Sequence, residues 1–261
     1  MLLSREFLIT PVVALCCMLG ISFSQYPRLQ NLLSSKDSVS IETLRKEQEK
    51  HLLNLNLFKN IPSFGFDNMI ANWVFIDFLQ YFGDNEVRDR IGYAISPDFF
   101  EVILNRDPKF LEAYLNLSVS TSLYAGSPEK TIKIMDNNLK SLSPKVPDRA
   151  YYIWRYKGTD ELLFLGDSQA ARNSYLKAAE WASEYDNEEG RNIVYLSQAT
   201  AKFLAENPDS KKALVAGWTM VLQNQVDDKT RERAIREIEN LGGKVEINQE
   251  GVPTITLPEQ D

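Results

Sequence analysis

The sequence predicts an all-α fold: a right-handed solenoid of helical hairpins behind an N-terminal transmembrane helix. Three observations carry this reading. Helix-length amphipathic runs alternate with short Gly or Pro breaks from residue 41 to residue 243, and strand-like alternation is confined to the tail. Three of the breaks share one form, Tyr81-Phe82-Gly83-Asp84, Tyr124-Ala125-Gly126-Ser127 and Phe164-Leu165-Gly166-Asp167. Their glycines stand 43 and then 40 residues apart, and the helices that follow run to Asp107-Pro108, Ser143-Pro144 and, more distantly, Asn207-Pro208. A period near 40 built of helix, tight turn, helix and proline stop is that of a helical solenoid.

The elements follow in order. From Phe7 to Pro27 no residue is charged, and these 21 residues match a helix that crosses a bilayer core. Arg5 precedes the stretch, Arg28 follows it, and Tyr26 suits an interface. We read residues 1–27 as a membrane anchor; a signal peptide cut near Ser22-Phe23-Ser24 and a buried core helix are the alternatives. Anchored or secreted, the remainder is expected on the non-cytoplasmic side, although the flanking basic residues are nearly balanced. Residues 28–65 form a polar linker and a leading helix that Ser40 caps and that Pro62 and Gly65 break. The repeat domain spans 66–243. It opens with an aromatic-rich helix over 68–84 and a short charged turn, and continues with helical runs over 95–108, 109–126, 127–144, 148–166, 167–185, 188–208 and 209–225. Pro97 falls early in its helix, where the missing N–H costs nothing. A last helix over 229–243 closes on glycines. The tail, 244–261, reads as an extended hairpin turning at 249–251, with Pro253 limiting its strand to an edge.

Composition narrows the function. The net charge of −7 argues against nucleic acid as a partner, since phosphate neutralisation needs a basic surface. Cys16 and Cys17 both lie in the apolar stretch, so the rest of the chain has no thiol for a disulfide, a zinc site or a nucleophile. His51 is the lone histidine, and no G-x-S-x-G elbow occurs. The acidic pairs, such as Asp160/Glu161, read as charged surface turns, and there is no calcium loop. The segment around Gly166-Asp167 has one glycine where a phosphate loop needs several; Asp167 reads as a helix N-cap. No cofactor, metal or catalysis is expected.

The third unit places Trp154, Gly158, Gly166, Ala171, Tyr175 and Ala178 in the order of large, small, turn glycine, small, large and small residues. The second gives Tyr114, Ser118, Gly126, Thr131, Met135, Asn138 and Pro144; the first gives Trp73, Gly83, Phe100 and Pro108 at irregular spacing. This pattern resembles the tetratricopeptide repeat over about residues 66–225. In units two and three the step from small residue to turn glycine is eight, one longer than that motif's usual seven, which predicts a bulged first helix. The stretch 64–84 with RDPKFLEAY is also similar to membrane-anchored bacterial repeat proteins, including cyanobacterial ones.

The resemblance implies that the first helix of each unit lines a concave groove. Counting from the aromatic positions Trp73, Tyr114 and Trp154 puts Phe75, Asn116 and Tyr156 in the groove-facing register, with Arg155 and Lys157 as neighbouring cations; simple core packing is the competing reading. The expected function is a membrane-tethered scaffold or assembly factor that binds a protein partner without catalysis. The alternatives are an all-α enzyme or small-ligand receptor with a pocket in the groove, and a self-association module.

Overall fold

The computed structural model describes residues 13, 15–27, 39–223, 228–247 and 253–258 of the chain. It divides into two compact units, Met1–Glu49 and Lys50–Asp261. In the first, residues 15–27 form helix α1, while residues 1–12 and 14 of the expected anchor and most of the linker lie outside the described residues. Among the described residues no helix is long and apolar enough to cross a membrane. Helix α2, Ile41–Asn60, begins in the first unit, where the Ser40 hydroxyl accepts the Thr43 N–H at 3.2 Å as its cap, and ends in the second.

The second unit is all-α except for a short antiparallel pair. Its helices are α3 (Asp67–Gly83), α4 (Asn85–Ile91), α5 (Ser96–Arg106), α6 (Leu111–Leu117), α7 (Pro128–Leu139), α8 (Tyr151–Leu163), α9 (Ser168–Ala182), α10 (Glu188–Glu206), α11 (Lys211–Gln223) and α12 (Asp228–Asn240). A wider π-helical segment, Ser118–Tyr124, continues α6. Strands β1 (Lys244–Ile247) and β2 (Pro253–Thr256) pair antiparallel, with Val245 opposite Ile255. The turn expected at 249–251 lies outside the described residues. Helix α4 corrects the sequence reading, which took its NEVRDRI segment for a charged turn.

The main core is aromatic. Phe78 meets Phe100 edge-on at 4.6 Å and Phe99 at 5.8 Å, joining α3 to α5. The fully buried Tyr114 of α6 and Tyr151 of α8 extend this core. Two hairpins, α6 with its π segment against α7 and α8 against α9, close through equivalent turns 40 residues apart. In the first, the Ala125 and Ser127 N–H groups donate to Ser120 and Thr121 carbonyls; in the second, Leu165 and Asp167 donate to Asp160 and Glu161. Gly126 (φ 62°) and Gly166 (φ 66°) hold the left-handed backbone that both turns need. The equivalent positions are buried in both: Thr131 and Ala171, Met135 and Tyr175, Asn138 and Ala178. Gly158 admits α9 closely, since a Cβ there would sit 3.3 Å from Ser174 Cβ and the Tyr175 ring. The expected bulge is real in the first hairpin, where the backbone widens over Ser118–Tyr124, and absent from α8, which stays α-helical to Leu163.

The pattern is not kept at either end. In α3, Trp73 is exposed and Gly83 is an ordinary helical residue without positive φ, because α4 is inserted before the next long helix. At the other end α11 packs chiefly against α12 and α8. Gly217 lies so close to Leu163 that a Cβ would meet its Cδ2 at 2.3 Å. Leu123 and Leu163, equivalent in the two hairpins, share one cluster with Val215, Trp218, Leu222, Ala234 and Ile238, and Tyr124 and Phe164 pack against it. Helices α11 and α12 thus lie across the turn ends of both hairpins.

Candidate functional site

That return of the chain walls a cleft of about 700 Å³ in the second unit. Phe82 from the end of α3, Arg88 and Asp89 from α4, Tyr93 after it, Tyr124 from the π segment, and Arg233 and Arg236 from α12 converge there. The three aromatic rings form a closed triad: Phe82 to Tyr93 5.1 Å, Phe82 to Tyr124 5.0 Å and Tyr93 to Tyr124 4.9 Å between centroids. Edge-on contacts of this kind hold each ring by its neighbours and leave a stiff apolar wall.

The cations are positioned from behind. Arg88 is only 6% exposed; its guanidinium carbon lies 3.9 Å over the Tyr81 ring, and its Nη1 donates to the Gly92 carbonyl at 2.9 Å. Gly92, with φ 74°, caps α4 by donating its N–H to the Arg88 carbonyl, so this one glycine both ends the helix and orients the arginine. Arg88 Nε is buried without a hydrogen-bond partner among the described residues. Arg233 Nη1 donates to the Leu123 carbonyl at 2.5 Å, and its guanidinium sits 5.7 Å and 5.6 Å from the Phe164 and Trp218 rings. Arg236 makes a loose contact, 3.7 Å to Glu232, and is well exposed. Three arginines and two aspartates, Asp89 and Asp228, therefore line one cleft with the aromatic wall.

Behind the π segment lies a buried polar cluster. Asp160, fully buried, accepts from the Ser118 hydroxyl at 2.8 Å, and Ser122 Oγ lies 3.1 Å from its second oxygen and 2.9 Å from Thr131 Oγ1. Burial raises the Asp160 carboxyl from 3.8 to about 7; the two serine hydroxyls oppose the rise and the Glu161 charge adds to it. Glu161 is paired with Lys157 and accepts from Ser174 at 2.6 Å, while Lys157 also reaches Asp136 at 3.4 Å. Both carboxylates, read from sequence as a surface turn, are interior.

None of the residues expected to line a groove lines this cleft. Trp73 is exposed on α3, and Phe75 packs edge-on against Phe110 at 4.8 Å. Tyr114 is buried, its hydroxyl donating to the Pro108 carbonyl at 2.7 Å, and burial pushes its pKa up. Asn116 bonds back to its own helix at the Glu112 carbonyl. Trp154 stands perpendicular to Trp181 at 5.7 Å, Arg155 donates to Ser197 at 2.8 Å, Tyr156 stacks with Tyr152, and Lys157 is held in the buried cluster. Four of the eight, Trp154 to Lys157, are consecutive on α8, so their side chains fan around that helix and do not share a face. Among the described residues no group of three His, Cys, Asp or Glu side chains is placed to hold a metal ion. His51 lies against Asp77, with Nδ1 3.6 Å from Oδ2, between the Tyr81 and Phe99 rings, and does not line the cleft. Comparison with protein-family models, curated proteins and solved structures gives no match for this chain.

The cleft residues carry two sequence signals. Arg233 and Arg236 recur at a helical spacing of three on a very polar helix, and Tyr124 stands in the Tyr124-Ala125-Gly126-Ser127 turn. What brings them together is the path of α11, which periodicity does not encode.

Proposed function

We propose that this chain is a non-catalytic helical scaffold, tethered at a membrane by the apolar stretch 7–27, that holds a segment of a partner protein in the cleft between α4 and α12. The observation that carries the reading is the meeting of the Phe82–Tyr93–Tyr124 wall with Arg88, Arg233 and Arg236. Aromatic and arginine side chains are the ones enriched where proteins recognise one another, because they offer large area with a polar end. The partner chemistry that fits is a segment with a carboxylate beside an apolar side chain. The two 40-residue hairpins, with matched turns and matched buried positions, support a divergent tetratricopeptide-like stack as the frame, in the right-handed sense of that family.

The test uses the full chain solubilised from membranes in mild detergent, comparing proteins that co-purify with wild type and with Arg236→Glu. Arg236 is exposed and makes no buried contact, so the fold should keep its thermal midpoint. A partner lost from the variant at an unchanged midpoint supports the reading. Recovery of the same partner set with Arg236→Glu and with Tyr93→Ala would sink it. A wild-type chain that takes no protein, and is instead stabilised by a small anionic metabolite, would assign the cleft to a receptor.

A further inference from the structure

A different surface lies on α3. On α3 the buried face is Ala71, Val74, Phe78 and Tyr81, yet the opposite face is also apolar. Met69, Trp73 and Ile76 follow one another at helical spacing of four and three, all exposed, Trp73 to 66%. Leu57 near the end of α2 is exposed as well, and so are Phe66 and Phe64 in the loop between the helices, the latter to 86%.

The loop is built to keep them outside. Phe64 has φ 49°, a left-handed conformation costly for a bulky side chain. Arg106 fixes the flanks. Its Nη2 donates to the carbonyls of Phe58, Lys59 and Ile61 at 2.7, 3.1 and 2.6 Å, and its Nη1 to Asp67 Oδ1 at 3.0 Å. Ser63 donates to the other Asp67 oxygen at 2.8 Å.

Charge is sparse along this stretch. A quarter of the whole chain is charged, but from Leu52 to Phe82 the only charged residues are Lys59, Asp67 and Asp77. Each is already engaged, with Glu101 at 2.6 Å, Arg106 at 3.0 Å and His51 at 3.6 Å. The exposed polar side chains of the stretch are neutral amides: Asn54, Asn56, Asn60, Asn68, Asn72 and Gln80. Amides cost far less than ions to move into a poorly hydrated layer, and Trp and Phe favour the headgroup boundary.

We propose that Leu57, Phe64, Phe66, Met69, Trp73 and Ile76 insert into the interfacial layer of a phospholipid bilayer, laying the α2–α3 end of the domain on the membrane. The occupant follows from the chain itself. The uncharged stretch 7–27 precedes this surface by only a linker and one helix, so a bilayer that takes the stretch lies within reach. The inference rests on the tether proposed above.

The experiment uses the full chain with vesicles of ordinary and of brominated phosphatidylcholine. Bromine quenches tryptophans at acyl-chain depth. Of the four tryptophans, Trp154, Trp181 and Trp218 lie in the packed core and Trp73 on the surface. Wild type should lose emission in brominated vesicles, and Trp73→Phe should abolish most of that loss while floating equally well. A floating protein whose quenching is the same in wild type and Trp73→Phe overturns the inference and leaves the tether standing. A chain that does not float overturns both. Detergent-solubilised wild type that dimerises without lipid, with Trp73→Asp monomeric, would give the face to a second copy and overturn the bilayer assignment.

Discussion

Replacing the aspartate at 160 with asparagine should change how stability depends on pH more than it changes stability at any one pH. The carboxyl of Asp160 is fully buried, receives hydroxyl hydrogen bonds from Ser118 and Ser122, and has no cation in contact among the described residues, because Lys157 is committed to Glu161 and Asp136. Its pKa rises from 3.8 to about 7 on folding. Between these values the folded protein holds a proton that the unfolded chain has released, so stability must fall as pH increases through this window and level off above it. At about 1.4 kcal/mol per pH unit, a rise from 3.8 to about 7 corresponds to a loss of about 4 kcal/mol by pH 8. The amide of the variant cannot ionise and keeps an acceptor for Ser118. The assay is urea denaturation of wild type and Asp160→Asn at several pH values from about 4 to 8, taking the difference so that all other titrating groups cancel. The variant should gain on wild type steadily with pH, reaching several kcal/mol. A difference that stays flat, or a wild type that gains on Asp160→Asn as pH rises, would refute the assignment of the proton to Asp160.

Two further perturbations probe the same hairpins. Lys157→Met should destabilise the fold by about 3–5 kcal/mol, because it leaves Glu161 buried and unpaired, whereas Lys157→Met with Glu161→Met should recover most of that loss; chemical denaturation of the cycle reads both, and equal effects of the single and double variants would deny the buried pair. Gly166→Ala should cost about 1 kcal/mol through its positive φ although nothing obstructs a Cβ, while Gly83→Ala, equally unobstructed at a helical φ, should be neutral or stabilising by up to about 1 kcal/mol; thermal midpoints that move alike would show that backbone conformation does not distinguish them.

Helix positions were legible because local chemistry sets them. Pro97 and Pro128 open α5 and α7, Asp167 accepts the Ala170 N–H at 2.8 Å to start α9, and Gly126 and Gly166 close their turns. The 40-residue spacing likewise announced equivalent turns, since a left-handed residue is needed wherever the chain reverses after a helix. Side-chain environment was not legible in the same way. Asp160 read as part of a charged surface turn and Lys157 as a cation beside a groove, yet both are interior because α7 and α9 cover that side of α8. Trp73 matched the aromatic position of a repeat but faces out, because the inserted α4 alters the first unit. The cleft escaped altogether, since Phe82, Tyr124 and Arg233 are far apart in sequence and only tertiary packing joins them.

The break in the hairpin pattern and the formation of the cleft are linked by the path of α11 and α12. The last carbonyls of any helix lack intrahelical donors, and Leu123 lies at the end of the π segment that continues α6. A donor must come from elsewhere, and α12 supplies it through Arg233. For α12 to arrive there, α11 must cross α8, and the glycine at 217 permits the approach to Leu163. On that path α11 packs chiefly against α12 and α8, while Ala213 and Leu214 near its start reach the cluster that holds Ala201 and Leu204 of α10, so the close hairpin pairing is not repeated. The same crossing carries Arg236 opposite Tyr93 and Tyr124. A bulky residue at 217 would therefore do more than strain a packed contact. It would push α11 from α8, withdraw Arg233 from the Leu123 carbonyl and open the cleft wall, coupling the stability of the C-terminal helices to recognition at the cleft.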